Sequence, residues 1–254
     1  MHPSSPARLA ALLLVLTAVT APAAGTTAIG EKKPKEFGAL EYRLIGPSVG
    51  GRMTAVAGVP GNPLVFYASA AQGGLWKSED GGREWRSLFD EEATQSIGSF
   101  AIAPSDPNII YVGSGEANTR GNVAIGLGIW KSLDAGETWQ QVWKTHGQIG
   151  QMIVHPTNPD IAFAAVLGSP FGPSETRGVY RTRDGGKTFK SLKKGLPQKH
   201  AYDLVFRHGL AIDETGEKLA MGSTTGGVWV SEDQGDSWQN VSHSLPPVYA
   251  VRFA

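Results

Sequence analysis

The stretch Ser78-Glu79-Asp80-Gly81-Gly82-Arg83-Glu84-Trp85 decides the fold, because it returns three more times at nearly constant spacing. The copies are Ser132-Leu133-Asp134-Ala135-Gly136-Glu137-Thr138-Trp139, Thr182-Arg183-Asp184-Gly185-Gly186-Lys187-Thr188-Phe189 and Ser231-Glu232-Asp233-Gln234-Gly235-Asp236-Ser237-Trp238. Their aspartates, Asp80, Asp134, Asp184 and Asp233, lie 54, 50 and 49 residues apart. In each copy a short acceptor side chain can bind backbone N–H groups of a turn. Gly82, Gly136, Gly186 and Gly235 supply positive φ, and Trp85, Trp139, Phe189 and Trp238 pack inward. A residue that does one turn job four times is structural.

A second phrase leads each copy: Pro60-Gly61-Asn62-Pro63, Pro104-Ser105-Asp106-Pro107, Pro156-Thr157-Asn158-Pro159 and the degenerate Asp213-Glu214-Thr215-Gly216. These are tight-turn sequences between apolar runs, so two antiparallel strands, a and b, flank each one. A third strand, c, precedes every Asp phrase and a fourth, d, follows it. Four antiparallel strands in about 50 residues make one β-propeller blade. Blades are therefore expected at residues 52–90, 96–144, 148–193 and 203–242, within an all-β domain covering 42–254. Two stray strands, 42–45 and 248–253, match a d strand and an a strand, so the propeller reads as incomplete or open.

Chain direction places the a–b turns and the Asp phrases on one face, the b–c and d–a loops on the other. Blades one and four have minimal b–c loops, whereas blade two carries residues 114–127 and blade three 167–177. Extra polar loop length is where a binding site would be built. The candidate ligand-binding residues are Arg52, Glu116, Asn118, Arg120, Asn122, Glu175 and Arg177, which offer charge-assisted hydrogen bonds.

Composition narrows the function classes. Thirty-three Gly and sixteen Pro, spread between apolar runs, argue against a helical protein. Lys plus Arg equals Asp plus Glu at 23 each, so no global field favours nucleic acid. With no cysteine, disulfides, thiolate catalysis and Cys-ligated metals are excluded. The histidines are scattered singly among blades, so neither metal nor cofactor is expected. Arg8, the apolar run 9–19 and the small residues Ala21, Ala23 and Ala24 read as a signal peptide over 1–24, followed by a charged linker at 25–41. No later segment is apolar enough for a membrane helix, so an exported periplasmic or extracellular product without a membrane span is expected.

The Asp phrase resembles the Asp-box, or BNR, repeat of sialidases and sortilin-type receptors. From Tyr42 to about Leu192 the chain resembles exported bacterial proteins with sortilin-like propellers, often labelled glycosyl-hydrolase-like. The carriers include Tyr42-Arg43-Leu44-Ile45-Gly46-Pro47, Gly50-Gly51-Arg52-Met53-Thr54 and Gly113-Ser114-Gly115-Glu116-Ala117-Asn118. From about Gly195 the chain resembles the end of smaller sialidase-like propellers, on Ala201-Tyr202-Asp203-Leu204-Val205 and Gly222-Ser223-Thr224-Thr225-Gly226. Sialidase chemistry, by that resemblance, needs an arginine triad, a Tyr–Glu pair and an acid. Arg52, Arg120, Arg177, Arg207 and Glu116 are placed on the right face, without a sign of convergence. Xyloglucan-degrading propellers carry catalytic aspartates just before a Gly-Gly, where this chain has Ala70-Ala71-Gln72-Gly73-Gly74. The expected function is a non-catalytic exported propeller that binds protein, peptide or glycan. A sialidase-like or xyloglucanase-like glycoside hydrolase, or its inactive remnant, is the alternative.

Overall fold

A computed structural model describes residues 52–254 apart from 119 and 207. The leader, the linker and the stray strand at 42–45 lie outside the described residues. Among these, sixteen strands form four antiparallel sheets, each built from four consecutive strands. The first blade holds β1 (Met53–Val59), β2 (Asn62–Ala70), β3 (Leu75–Ser78) and β4 (Arg86–Ser87). The second holds β5 (Ile97–Ala103), β6 (Asp106–Ser114), β7 (Ile129–Ser132) and β8 (Gln140–Trp143). β9 (Gln148–Val154), β10 (Ala162–Gly168), β11 (Gly178–Thr182) and β12 (Lys190–Leu192) make the third. β13 (Leu210–Ile212), β14 (Leu219–Gly222), β15 (Val228–Ser231) and β16 (Gln239–Ser242) make the fourth. No helix among the described residues is long and apolar enough to cross a membrane.

Successive sheets stack through their inner strands: β1 and β2 against β5, β5 and β6 against β9, and β9 against β13. Side chains alternate along each strand, so one face meets the preceding blade and the other the following blade. Three buried clusters result, one at each junction. Tyr67 and Leu75 meet Phe100, Ile110 and Trp130. Tyr111 and Ile129 meet Met152, Ala162 and Ala164. Phe163 and Val179 meet Leu210, Leu219 and Trp229. Each such aromatic or aliphatic side chain contributes about 1.5–3 kcal/mol when fully buried. This is propeller stacking, with ladders within the blades and apolar clusters between them.

The four boxes share one construction. In the third, the Asp184 carboxylate accepts bonds from Thr182 Oγ1 (2.8 Å), Thr188 N (2.9 Å) and Thr188 Oγ1 (2.6 Å). Thr182 Oγ1 in turn accepts Gly186 N at 2.8 Å. The residue after the aspartate is left-handed every time, with φ of 79° at Gly81, 58° at Ala135, 73° at Gly185 and 56° at Gln234. Its N–H donates to the a–b turn of the same blade: Gly81 to Leu64, Ala135 to Asn108, Gly185 to Asp160 and Gln234 to Glu217, at 2.9–3.0 Å. Boxes and a–b turns therefore share a face. Three box carbonyls also receive a donor from the blade before: Ala135 from Tyr67 Oη (3.0 Å), Gly185 from Lys131 Nζ (3.1 Å) and Gln234 from Arg181 Nη1 (2.6 Å). The box thus clasps neighbouring blades as well as closing its own turn.

Two expectations need correction. The d strand of the first blade, expected after its Asp phrase as a full partner of the c strand, is reduced to Arg86–Ser87 because the chain leaves the sheet to bury Phe89 edge-on against Trp130 and Trp139, at centroid distances of 5.6 and 5.1 Å. Residues 248–253 do not form a strand. Instead Val248 N donates to Ser223 O (2.9 Å) and Val251 N to His208 O (2.7 Å), so the segment lies along the fourth blade without a ladder.

Candidate functional site

The opposite face carries the b–c and d–a loops, and the chain ties them to one another. Gly74 N donates to Gln95 O (2.8 Å), Gly115 N to Ser96 O (2.9 Å) and Ser96 Oγ to Ala71 O (2.6 Å). Glu116, next in the second blade's long loop, is buried and takes a two-pronged ion pair from Arg52, with Nη2 to Oε2 at 2.7 Å and Nε to Oε1. This hydrogen bonding raises the Arg52 pKa above the ordinary arginine value. The pair joins the start of the first blade to the loop of the second, and Glu116 spends both oxygens on it. Asn118 is half-buried, while Arg120 and Asn122 are exposed farther along the loop.

Arg177 closes its own loop. Its Nε donates to Leu167 O (2.9 Å), and its Nη2 donates to Ser169 O (2.6 Å) and Gly172 O (3.0 Å). All three partners are neutral carbonyls, which hold the guanidinium in place without neutralising its charge. The loop so held forms one wall of a cleft of about 830 Å³ between the third and fourth blades. The other wall is the d–a connector, bringing Lys193, Gln198, His200, Tyr202 and Asp203, with Met221 and Trp229 also in the lining. Glu175 and Arg177 line this cleft; Arg52, Glu116, Asn118, Arg120 and Asn122 do not.

Asp203 is fixed by its neighbours. Ser223 Oγ donates to Asp203 Oδ1 at 2.7 Å, and Thr225 Oγ1 donates to the same oxygen. Tyr202 beside it is 72% exposed, and Phe171, at the tip of the opposite wall between the lining residues Pro170 and Gly172, is 63% exposed. His200 adopts a left-handed φ of 52°, uncommon for a residue with a Cβ. Sequence reasoning missed Phe171, Tyr202 and Asp203. The available signal was the length of the d–a connection: seventeen residues, Lys193 to Gly209, separate β12 and β13, and no repeat phrase falls among them.

Comparison with known proteins bears on the fold. The family model described as Sortilin-Vps10 (sortilin, neurotensin receptor 3) matches residues 128–251, covering the last strands of the second blade and all of the third and fourth. Over that stretch the chain is similar to the sortilin type of Asp-box propeller. These sortilin-like blades are also similar to the oligoxyloglucan-reducing end-specific xyloglucanase of Emericella nidulans, at 25% identity over 90% of this chain and 28% of that protein. Xyloglucanase Xgh74A of Acetivibrio thermocellus is 30% identical over 67% of this chain and 22% of its own length. An ancestral GH74 enzyme of known structure superposes with a TM-score of 0.61 at 21% identity, over 82% of this chain and 28% of that one, and shows the shared fold alone. The sortilin-like chain thus spans between a fifth and a third of the length of these relatives.

Proposed function

We propose that the chain is a non-catalytic carbohydrate-binding propeller segment that takes an extended, neutral glycan in the cleft between the third and fourth blades. The observation that carries this is the exposed Tyr202 in the cleft lining, with the exposed Phe171 between the lining residues Pro170 and Gly172 of the facing loop. A sugar ring presents C–H groups to an aromatic face and hydroxyls at its rim. Gln198, Lys193 and the Glu175 carboxylate supply donors and acceptors for such hydroxyls. The cleft's charges balance, Arg177 and Lys193 against Glu175 and Asp203, which suits a neutral chain over a sialate or uronate. Similarity to xyloglucanases supports the choice of a glycan over a peptide.

Calorimetric titration with xyloglucan oligosaccharides tests it. Tyr202→Ala and Phe171→Ala are each expected to weaken binding about three- to tenfold, the range for an aromatic contact of roughly 0.5–1.5 kcal/mol. Unchanged affinity in both variants, or no binding by the parent chain, overturns the reading.

Glycoside hydrolysis is the second reading, favoured by one observation: two carboxylates, Glu175 and Asp203, line the same cleft. Hydrolysis normally uses such a pair. Release of reducing sugar by the parent chain, abolished in Glu175→Gln, would select it. The leader at 1–24 supports export, and N-terminal sequencing of the mature protein is expected to begin at Ala24 or Gly25.

A further inference from the structure

The two ends of the blade stack differ from its interior in a matched way. At each internal junction the outgoing blade presents a cross-strand pair, an aromatic ring on its second strand and a cation on its third: Tyr67 with Lys77, Tyr111 with Lys131, Phe163 with Arg181. The fourth blade has Ala220 with Val230 at that pair. The incoming face changes in the opposite sense. Where the third blade offers Ala162 to Tyr111, the first blade has the larger Phe66. Where the third blade offers Asp160 to Lys131 Nζ at 3.6 Å, the first has Leu64, an equivalence fixed because Leu64 O and Asp160 O accept the same box N–H. Ring and cation are thus lost from one end while ring and apolar side chain are gained at the other.

That incoming face is uncovered among the described residues. Val56 is 76% exposed and Phe66 38%, whereas their counterparts Phe100 and Ile110 are 6% and 0% exposed beneath the preceding blade. We propose that two copies of this chain close head to tail, the fourth blade of each seating on the first blade of the other, to give a two-fold ring of eight blades. Reciprocal heterologous contacts that close after two copies satisfy a ring, and eight blades lie within the usual range of roughly four to eight. Ala220 makes room for Phe66, and Val230 meets Leu64 where the interior pairs Lys131 with Asp160. The C-terminal segment yields in this arrangement. A Cβ on Gly222 would lie 2.3 Å from Val248 Cγ1, just as one on Gly113 would lie 2.4 Å from Ile149 Cγ2. Val248 therefore holds the place that the partner's first strand takes on closure.

Sedimentation velocity of the purified chain tests this, with thermal unfolding confirming that each variant is folded. Twice the chain mass is expected, falling to the single-chain mass in Val56→Glu/Phe66→Glu. Leu64→Asp and Val230→Lys are each expected to raise the dissociation constant about tenfold or more, and the two together to restore it by re-creating the Lys–Asp pair. Deleting residues 247–254 is expected to keep or tighten the dimer. A chain that stays monomeric up to its solubility limit overturns the proposal. So does a dimer indifferent to Val56→Glu/Phe66→Glu, a charge pair that fails to rescue, or loss of the dimer on tail deletion.

Discussion

Equivalent residues in the repeat make different bonds, and those differences set what each contributes. Trp139 Nε1 donates to Leu88 O of the preceding blade at 2.7 Å, whereas the buried Trp238 Nε1 has no hydrogen-bond acceptor among the described residues. Trp139→Phe is therefore expected to lower unfolding free energy by about 1 kcal/mol more than Trp238→Phe, since the latter removes a donor that folding already leaves unpaired. Parallel urea titrations of both variants check this; equal losses would mean that the indole bond adds nothing. Arg52 poses a different question, because Glu116 is fully buried and accepts two bonds from it. Arg52→Ala strands that carboxylate and is expected to lower the urea midpoint more than an ordinary surface substitution does, readable in the same titration. A midpoint no lower than that of such a surface substitution would show that water replaces the guanidinium freely.

Among the elements, the Asp-box was the most legible feature of the sequence and the loops were the least. Ser132-Leu133-Asp134-Ala135-Gly136-Glu137-Thr138 contains the groups that hold the Asp134 carboxylate, so the turn is readable from one short phrase. Local completeness also gives the boxes a pH signature. Bonds from the Thr188 hydroxyl and backbone N–H pull Asp184 down to about 2, and the matching Thr138 groups lower Asp134. A carboxylate lowered in the folded state stabilises above its unfolded pKa and loses that contribution as pH falls through its folded value. Thermal midpoints are expected to fall between about pH 4 and pH 2, less steeply in Asp184→Asn. A flat profile over that window would argue that the boxes titrate alike in both states. The connector after β12 behaves differently. Its Tyr202 and Asp203 acquire meaning only when β14 and the loop after β10 arrive beside them, and no repeat phrase marks that meeting. Loop length on the b–c side pointed to the second and third blades, but Glu116 there is consumed by Arg52 and Arg177 by its own loop's carbonyls.

At the scale of the whole molecule, three apolar junctions hold four blades in one stack, and a cleft lies where the longest d–a connector meets the long third-blade loop. A ligand held between two blades also couples them, so binding is expected to stabilise the third and fourth blades together, as nearest-neighbour coupling in repeat proteins requires. The most direct measurement is a crystal structure of the chain grown with a xyloglucan oligosaccharide. Sugar rings are expected against Phe171 and Tyr202, with hydroxyls bonded to Gln198 or Glu175. Sugar bound instead along Arg120 and Asn122 of the second-blade loop, or an empty cleft at saturating oligosaccharide, would contradict the assignment.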